Sequence, residues 1–159
     1  MGVFKNIFTW WEGQTFGTWL HTKTSGVRIG EDAEGNVYTS GDFNDSIKFD
    51  PGTGVKNLSA KGGQNVFILK FNDKGNLLWA KSFRTYYSQS IAFDDKGNVY
   101  TTGSFIETVD FNSMKISAVG ARDIYIQKMD ADGNFIWAKS FGGDSIDVGS
   151  SITIDTMGN

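Results

Sequence analysis

The sequence has no cysteine, which removes disulfides and thiolate metal sites from consideration. It has one histidine, His21, so neither a histidine-based triad nor a multi-histidine metal centre can form within one chain. One proline, Pro51, stands against 20 glycines, a balance that favours tight turns over rigid linkers. No apolar run reaches the roughly 18 residues of a membrane-spanning helix. The N-terminus lacks the basic stretch, unbroken apolar core and small-residue cleavage site of an export signal. Lys and Arg number 15 against 18 Asp and Glu, a net charge of −3, which gives no footprint for nucleic acid. The expected partners therefore exclude nucleic acid and a lipid span, no cofactor or metal is expected, and localisation is left open.

What is present is a repeat. GNLLWAKSF at 75–83 returns as GNFIWAKSF at 133–141 with seven of nine residues identical. GNVYTSGDF at 35–43 returns as GNVYTTGSF at 97–105. The spacings are 133 − 75 = 58 and 97 − 35 = 62, so two markers recur in the same order at nearly one period, the signature of a repeat architecture. Residues 155–159 begin a third copy. Apolar residues make up 39% of the chain and aromatics 14%, enough to build a core, and the abundance of Thr, Ser, Phe and Ile between turn signals points to strands.

Each unit reads as four strands, in the second copy 90–94, 98–105, 123–130 and 134–141. The stretch 108–120 predicts an added hairpin, with its first-copy counterpart between Ile47 and Gly62. Strand alternation places Phe135, Trp137, Lys139 and Phe141 on one bulky face and Ile136, Ala138 and Ser140 on a small one. Stacked sheets would then bury large against small, with Trp79 and Trp137 as equivalent core residues between them. Gly41 and Gly103, inside strand patterns, predict close approach of another backbone. The fold class is all-β: two four-stranded β-propeller blades and the start of a third, occupying 32–159.

IYIQKMDADGNFIWAKSFGG at 124–143, together with DDKGNVYTTGSF at 94–105, resembles the bacterial seven-bladed β-propeller repeat family. That resemblance implies a propeller, often in secreted or surface proteins, and no particular chemistry. Residues 1–31 differ in character, holding Trp10, Trp11, Trp19 and the spacing Phe4, Ile7, Phe8, Trp11 of a short amphipathic helix. FTWWEGQTFGTWLHT at 8–22, followed by GVRIGEDAEGNVY at 26–38, resembles the start of a small accessory subunit, the twelfth of the alpha group, of respiratory NADH:ubiquinone oxidoreductase. This second resemblance implies a non-catalytic subunit docked on a respiratory complex, on the cytoplasmic side, and puts a junction near 32–38.

Five turns place Asp or Asn three residues before a Gly-Asn pair or its equivalent: Asp32/Gly35, Asn72/Gly75, Asp94/Gly97, Asp130/Gly133 and Asp155/Gly158. Alternating oxygens at Asp130, Asp132 and Asn134 suit the opening of a calcium loop. The preferred reading is a hairpin turn in which the Asx side chain bonds its own backbone and glycine takes the left-handed conformation. The further oxygen ligands of a calcium loop are missing downstream, and Lys74 and Lys96 stand at matching positions. Asp144 and Asp147 are a carboxylate pair expected in a loop between blades, and GTGVKN at 52–57 lacks the strand, third glycine and helix of a dinucleotide fingerprint. No catalytic, cofactor-binding or metal residue is assigned. The sequence therefore predicts a non-enzymatic repeat scaffold whose loops on one face bind a protein or small ligand, with self-association through open blade faces or a cap formed by residues 1–30. The alternative is the respiratory accessory subunit.

Overall fold

The computed structural model describes residues 24–49, 56–112 and 114–155. Blade 1 is built from β1 (Thr24–Glu31), β2 (Val37–Phe49), β3 (Lys56–Phe71) and β4 (Leu77–Arg84), antiparallel and in spatial order. Blade 2 contains β5 (Tyr87–Phe93), β6 (Val99–Phe105), β9 (Asp123–Met129) and β10 (Phe135–Phe141). Between β6 and β9, the strands β7 (Thr108–Phe111) and β8 (Met114–Ser117) form the added hairpin. In blade 1 the corresponding hairpin is continuous with its parent strands, since the β2–β3 ladder resumes past a bulge and runs out to the Phe49 and Lys56 pair. The fold is thus all-β, of propeller-blade type.

Blade 1 starts earlier than the repeat pattern suggests. Residues 24–31, counted with the N-terminal segment on sequence grounds, form its innermost strand, paired with β2 from Thr24 to Glu31. Glu31, whose charge breaks the apolar repeat position, is exposed and so requires no apolar neighbour. The tryptophans at 10, 11 and 19 and the amphipathic spacing at 4–11 lie outside the described residues.

The two blades stack face to face. Tyr38, Val66, Ile68, Trp79 and Phe83 of blade 1 meet Val99, Phe105, Phe111, Tyr125 and Met129 of blade 2 in one buried cluster. Phe83 sits at its centre, with ring centroids 5.1 Å from Phe111, 6.1 Å from Tyr125 and 5.8 Å from Phe135. Tyr38 packs against Phe93 of β5 at 4.4 Å and edge-on to Trp79 at 5.9 Å. The Trp79 indole Nε1–H donates to the Ala131 carbonyl of blade 2 at 3.0 Å, and Lys70 Nζ donates to the same oxygen at 3.3 Å. Indole burial and indole hydrogen bonding are thereby met at once, as a buried Trp requires.

The bulky-face assignment is corrected by a β-bulge. Pairing of β10 with β9 steps from Phe135↔Met129 to Trp137↔Lys128, leaving Ile136 as the extra residue. A bulge reverses the facing of the residues after it. Phe135 and Ala138 consequently pack on the inter-blade cluster, whereas Trp137 joins Tyr100 on the far side of blade 2. In blade 1 the same step occurs between Lys70 and Phe71, so Leu77 and Ala80 face outward while Trp79 and Phe83 face blade 2.

Trp79 and Trp137 are related by the repeat but differ in environment. Trp79 is 9% exposed. Trp137 is only half-buried, because its side of blade 2 faces no further sheet among the described residues. Along β9 the alternation is regular: Asp123, Tyr125, Gln127 and Met129 are buried, Tyr125 and Met129 in the inter-blade cluster, and the residues between them are half-buried. Residues 149–155 cross the inner edge of this open face, where the Ile152 N–H donates to Ser90 Oγ at 3.2 Å. Gly103 fulfils its expectation, since a Cβ there would overlap the Tyr87 carbonyl oxygen.

Replacing Trp79 with Ala is expected to cost about 3–5 kcal/mol, the range for a buried aromatic. Trp137→Ala is expected to cost less than that, since its ring is only partly withdrawn from water. Denaturant melts of the two variants check this, and equal losses would contradict the asymmetry.

Candidate functional site

The two ends of the blade stack use their polar groups in opposite ways. At one end lie the four Asx-Gly hairpin turns of the described residues; Gly158 of the fifth, Asp155/Gly158, lies outside them. Gly35, Gly75, Gly97 and Gly133 take φ of 80°, 80°, 71° and 78°, the left-handed region that glycine enters without penalty. In each turn the glycine N–H donates to the Asx carbonyl, at 2.9 to 3.1 Å. Asp94 Oδ1 accepts from the N–H groups of Lys96 at 3.0 Å and Asn98 at 2.9 Å. Its Oδ2 accepts from Asn98 Nδ2 at 2.7 Å and the Tyr100 hydroxyl at 3.1 Å, with Lys128 Nζ at 3.5 Å. Asp32 repeats the arrangement with Asn36, Tyr38 and Lys70.

The turn at Asp130 has the same contacts within its own hairpin. Asp130 Oδ1 accepts from the Asp132 and Asn134 N–H groups at 3.0 and 2.8 Å, and Oδ2 from Asn134 Nδ2 at 3.0 Å. Asn134 thus turns a nitrogen donor toward Asp130, where a calcium loop would need an oxygen. The side-chain-to-backbone bonds of the hairpin reading are formed in the turns at Asp32, Asn72, Asp94 and Asp130. Burial alone would raise the carboxyls of Asp32, Asp94 and Asp130, but donors from Asn36, Asn98 and Asn134 outweigh it, and all three sit below the ordinary carboxylate range.

Asp144 and Asp147 lie in the segment after β10. Asp144 is exposed, and Asp147 Oδ2 accepts from the Gly143 N–H at 3.0 Å. His21 and residues 52–55 lie outside the described residues. So do residues 8–22, on which the resemblance to a respiratory accessory subunit rests.

At the opposite end the blades part around a cleft of about 260 Å³. Asn44 and Gln64 of blade 1 form one wall, Ile106 and Val109 the other, and the inter-blade connector Arg84, Thr85 and Tyr86 closes the back. Arg84 reaches Glu107 at 3.3 Å on the exposed rim. Glu107 and Asp45 beside the rim hold φ of 59° and 99°, conformations that non-glycine residues seldom take. Arg122 stacks on Tyr86, its guanidinium 4.1 Å from the ring centre.

Behind Thr85 the inner half of the joint is polar. Asp42 of β2 is 2% exposed and accepts the Ser88 N–H of β5 at 2.8 Å. Burial pushes its carboxyl up to about 6, against the opposing pull of that N–H and of Arg28. Burial pushes the Tyr125 phenol up, against the pull of the Ser88, Thr101 and Thr85 hydroxyls gathered around it. Sequence reasoning passed over Asp42. Its signal was slight: within the repeated GNVYT segment, Asp42 stands where the second copy has Ser104.

A family model described as a β-propeller repeat matches residues 82–104. The match runs from the end of β4 through the connector and the β5–β6 hairpin, so it contains the cleft's back wall and the Asp94 turn. The chain is also 31% identical over 100 residues to an uncharacterised WD repeat-containing protein of Acanthamoeba polyphaga mimivirus. That alignment covers 52% of this chain and 7% of the viral protein's length. Both findings support a propeller repeat.

Because the Asp94 carboxyl lies below its usual value of 3.8 in the folded state, its contribution is present above that value and is lost as pH falls through the lowered one. Asp94→Asn should therefore lower stability at neutral pH, and the gap from the parent chain should narrow steadily below about pH 4. Urea melts across pH test this; a gap that is constant with pH would mean the carboxylate charge plays no part.

Proposed function

We propose that the chain is a non-enzymatic β-propeller repeat scaffold that binds a partner protein through the inter-blade cleft. The observation that carries this reading is the contrast between its two ends. At the turn end Asp32, Asn72, Asp94 and Asp130 each spend a side-chain oxygen on the backbone of their own hairpin. At the cleft end, amide, hydroxyl and guanidinium groups of Asn44, Gln64, Thr85 and Arg84 gather beside Tyr86, Ile106 and Val109, a concave mix of apolar surface and a few convergent polar groups.

The repeat supports the same division. Between copies the turn residues Asp32, Gly35, Asn36 and Tyr38 recur as Asp94, Gly97, Asn98 and Tyr100. At the cleft, Asn44, Gln64, Arg84 and Thr85 correspond to Ile106, Arg122, Gly142 and Gly143. The framework is held constant while the cleft varies, as expected when the cleft sets specificity. No nucleophile and base stand together in it, and the buried Asp42 bonds a backbone amide, so binding fits the geometry better than turnover.

Selection of short peptides on the immobilised full chain tests the reading. Peptides recovered should lose at least about tenfold in affinity toward a Gln64→Ala, Tyr86→Ala double variant, a loss of about 1.4 kcal/mol. They should bind Asp132→Ala, at the turn end, unchanged. Binders that respond only to the turn-end change would overturn the assignment.

The open face of blade 2 supports a second interaction. Trp137, Tyr100 and the 51% exposed Phe141 lie on the surface that repeats the Trp79 side of blade 1. Self-association through this face should be visible by light scattering coupled to size exclusion. Trp137→Glu should return the chain to a monomer, and a parent chain that stays monomeric at high concentration would exclude this contact.

A further inference from the structure

Two polar ties cross from blade 1 to the first strand of blade 2, and both end on a bulge. Pairing of β5 with β6 steps from Ser88↔Gly103 to Ser90↔Thr102, which makes Gln89 the extra residue. A bulge withdraws backbone groups from the ladder and re-aims them. Here the Ser88 N–H donates to the Asp42 carboxyl at 2.8 Å, and the Gln89 carbonyl accepts from Arg28 Nε at 2.8 Å. The first tie is buried and the second is exposed. Neither is a rule of the repeat, because Asp42 and Arg28 stand where the second copy has Ser104 and Ser90.

The surroundings of Asp42 set which of its forms the joint prefers. Its sheet neighbours are Ser25 of β1 and Val66 of β3, and β5 brings the Ser88 N–H. Among the described residues, the charged or titratable groups that act on it are Arg28 of β1 and the Tyr125 phenol of β9. Burial pushes that phenol up, so it stays neutral. Arg28 is exposed, and water screens its pull. A carboxyl withdrawn from water, with one neutral amide and one exposed cation to favour its charge, prefers to hold a proton. The protonated group still offers a carbonyl oxygen to the Ser88 N–H. Neutralisation thus removes the cost of the buried charge and keeps the tie.

We infer that the blade joint is a proton-linked latch: neutral Asp42 fastens β2 of blade 1 to β5 of blade 2, and its ionisation loosens them. Mild acid therefore draws the blades together. Ser88 follows closely on Thr85, which lines the back of the cleft, so the latch acts on that wall as well as on the joint. The carboxyl stands at about 6 in the folded chain against an ordinary 3.8, and the folded state consequently holds the proton more tightly than the unfolded one. Below the ordinary value Asp42 costs nothing; its penalty grows as pH rises from about 4 to about 6 and is constant above. The Asx-turn carboxylates Asp32, Asp94 and Asp130 have the opposite sign. The latch does not depend on what the cleft binds.

Urea melts of the full chain and of Asp42→Asn, from about pH 4 to about pH 8, test the latch. Asparagine keeps an oxygen for the Ser88 N–H and cannot ionise. The folding equilibrium constant of Asp42→Asn should gain on that of the parent by at least about tenfold between about pH 4 and about pH 7, then level off. The Ser88 amide, corrected for intrinsic exchange, should lose protection in the parent over the same range and keep it in the variant. A gap constant with pH would overturn the inference, as would a parent chain that gains on the variant as pH rises or Ser88 protection that does not respond to pH. If Asp42→Asn fails to fold, carbon NMR of the Asp42 carboxyl in the parent chain decides. A titration centred at about 6 is expected, and Arg28→Gln should move it higher; a midpoint at or below the ordinary 3.8 would overturn the latch.

Discussion

The stability of this chain depends on burying one layer of aromatic and aliphatic side chains between two twisted sheets. A single four-stranded sheet of short strands cannot cover its own faces; alone it would leave Tyr38, Trp79 and Phe83, or Phe105, Phe111 and Tyr125, in water. Stacking satisfies both sets at once. The layer is directional as well as apolar, because the Trp79 indole and the Lys70 ammonium both donate to the Ala131 carbonyl at the tip of the next blade's outer turn. That shared acceptor fixes the height of one blade on the other. Loss of Trp79 would remove apolar contact, and it would also remove one of the two donors that set the register of stacking.

The Asx turns serve the same layer from outside it. Asp32 and Asp94 each collect donors from their own turn and then take the hydroxyl of a tyrosine: Tyr38, whose ring lies in the inter-blade layer, and Tyr100, whose ring lies beside Trp137 on the far side of blade 2. Burial and the neighbouring Asp32 carboxylate push the Tyr38 phenol upward, keeping it a donor throughout the accessible pH range. The turn therefore anchors the polar end of a ring whose apolar body is in the core. Lys70 and Lys128 lie over these rings at 5.1 and 4.8 Å and reach the same carboxylates. Such charges, largely withdrawn from water, are kept because they are paired and hydrogen-bonded.

Much of this was legible in the sequence because a repeat exposes its own rules. Two copies of GNVYT and of WAKSF fixed the number of strands, the turn positions and the blade identity, and the glycine of each described turn has the φ that the pattern demands. Strand facing was less legible. Simple alternation put Phe135 with Trp137, and one bulged residue, Ile136, separated them. Alternation assumes an unbroken ladder, and nothing in the composition of FIWAK announces a bulge. Nor did sequence distinguish Trp79 from Trp137, because burial between blades depends on what stands next to each blade and the repeat writes both residues alike. Asp42 and its hydroxyl neighbours were invisible for a related reason: they come from five separate elements, β2, the connector, β5, β6 and β9, and only stacking brings them together.

Repetition also explains why the cleft can diverge without harm to the fold. The inter-blade layer and the Asx turns sit at the centre and at one end, where a change would leave the Ala131 carbonyl of the neighbouring copy, or a turn carboxylate of the same copy, without its partner. The cleft residues carry no such obligation. Arg84 and Glu107 pair on the exposed rim, where an ion pair contributes about 0–1 kcal/mol, and the counterparts of Arg84 and Thr85 in the second copy are glycines. Substitution there costs the scaffold little. A chain built this way separates the residues that hold blades together from those that meet a partner, and the separation runs along the strand direction: each strand begins or ends at a turn fixed by hydrogen bonds, and its other end opens on a loop free to vary.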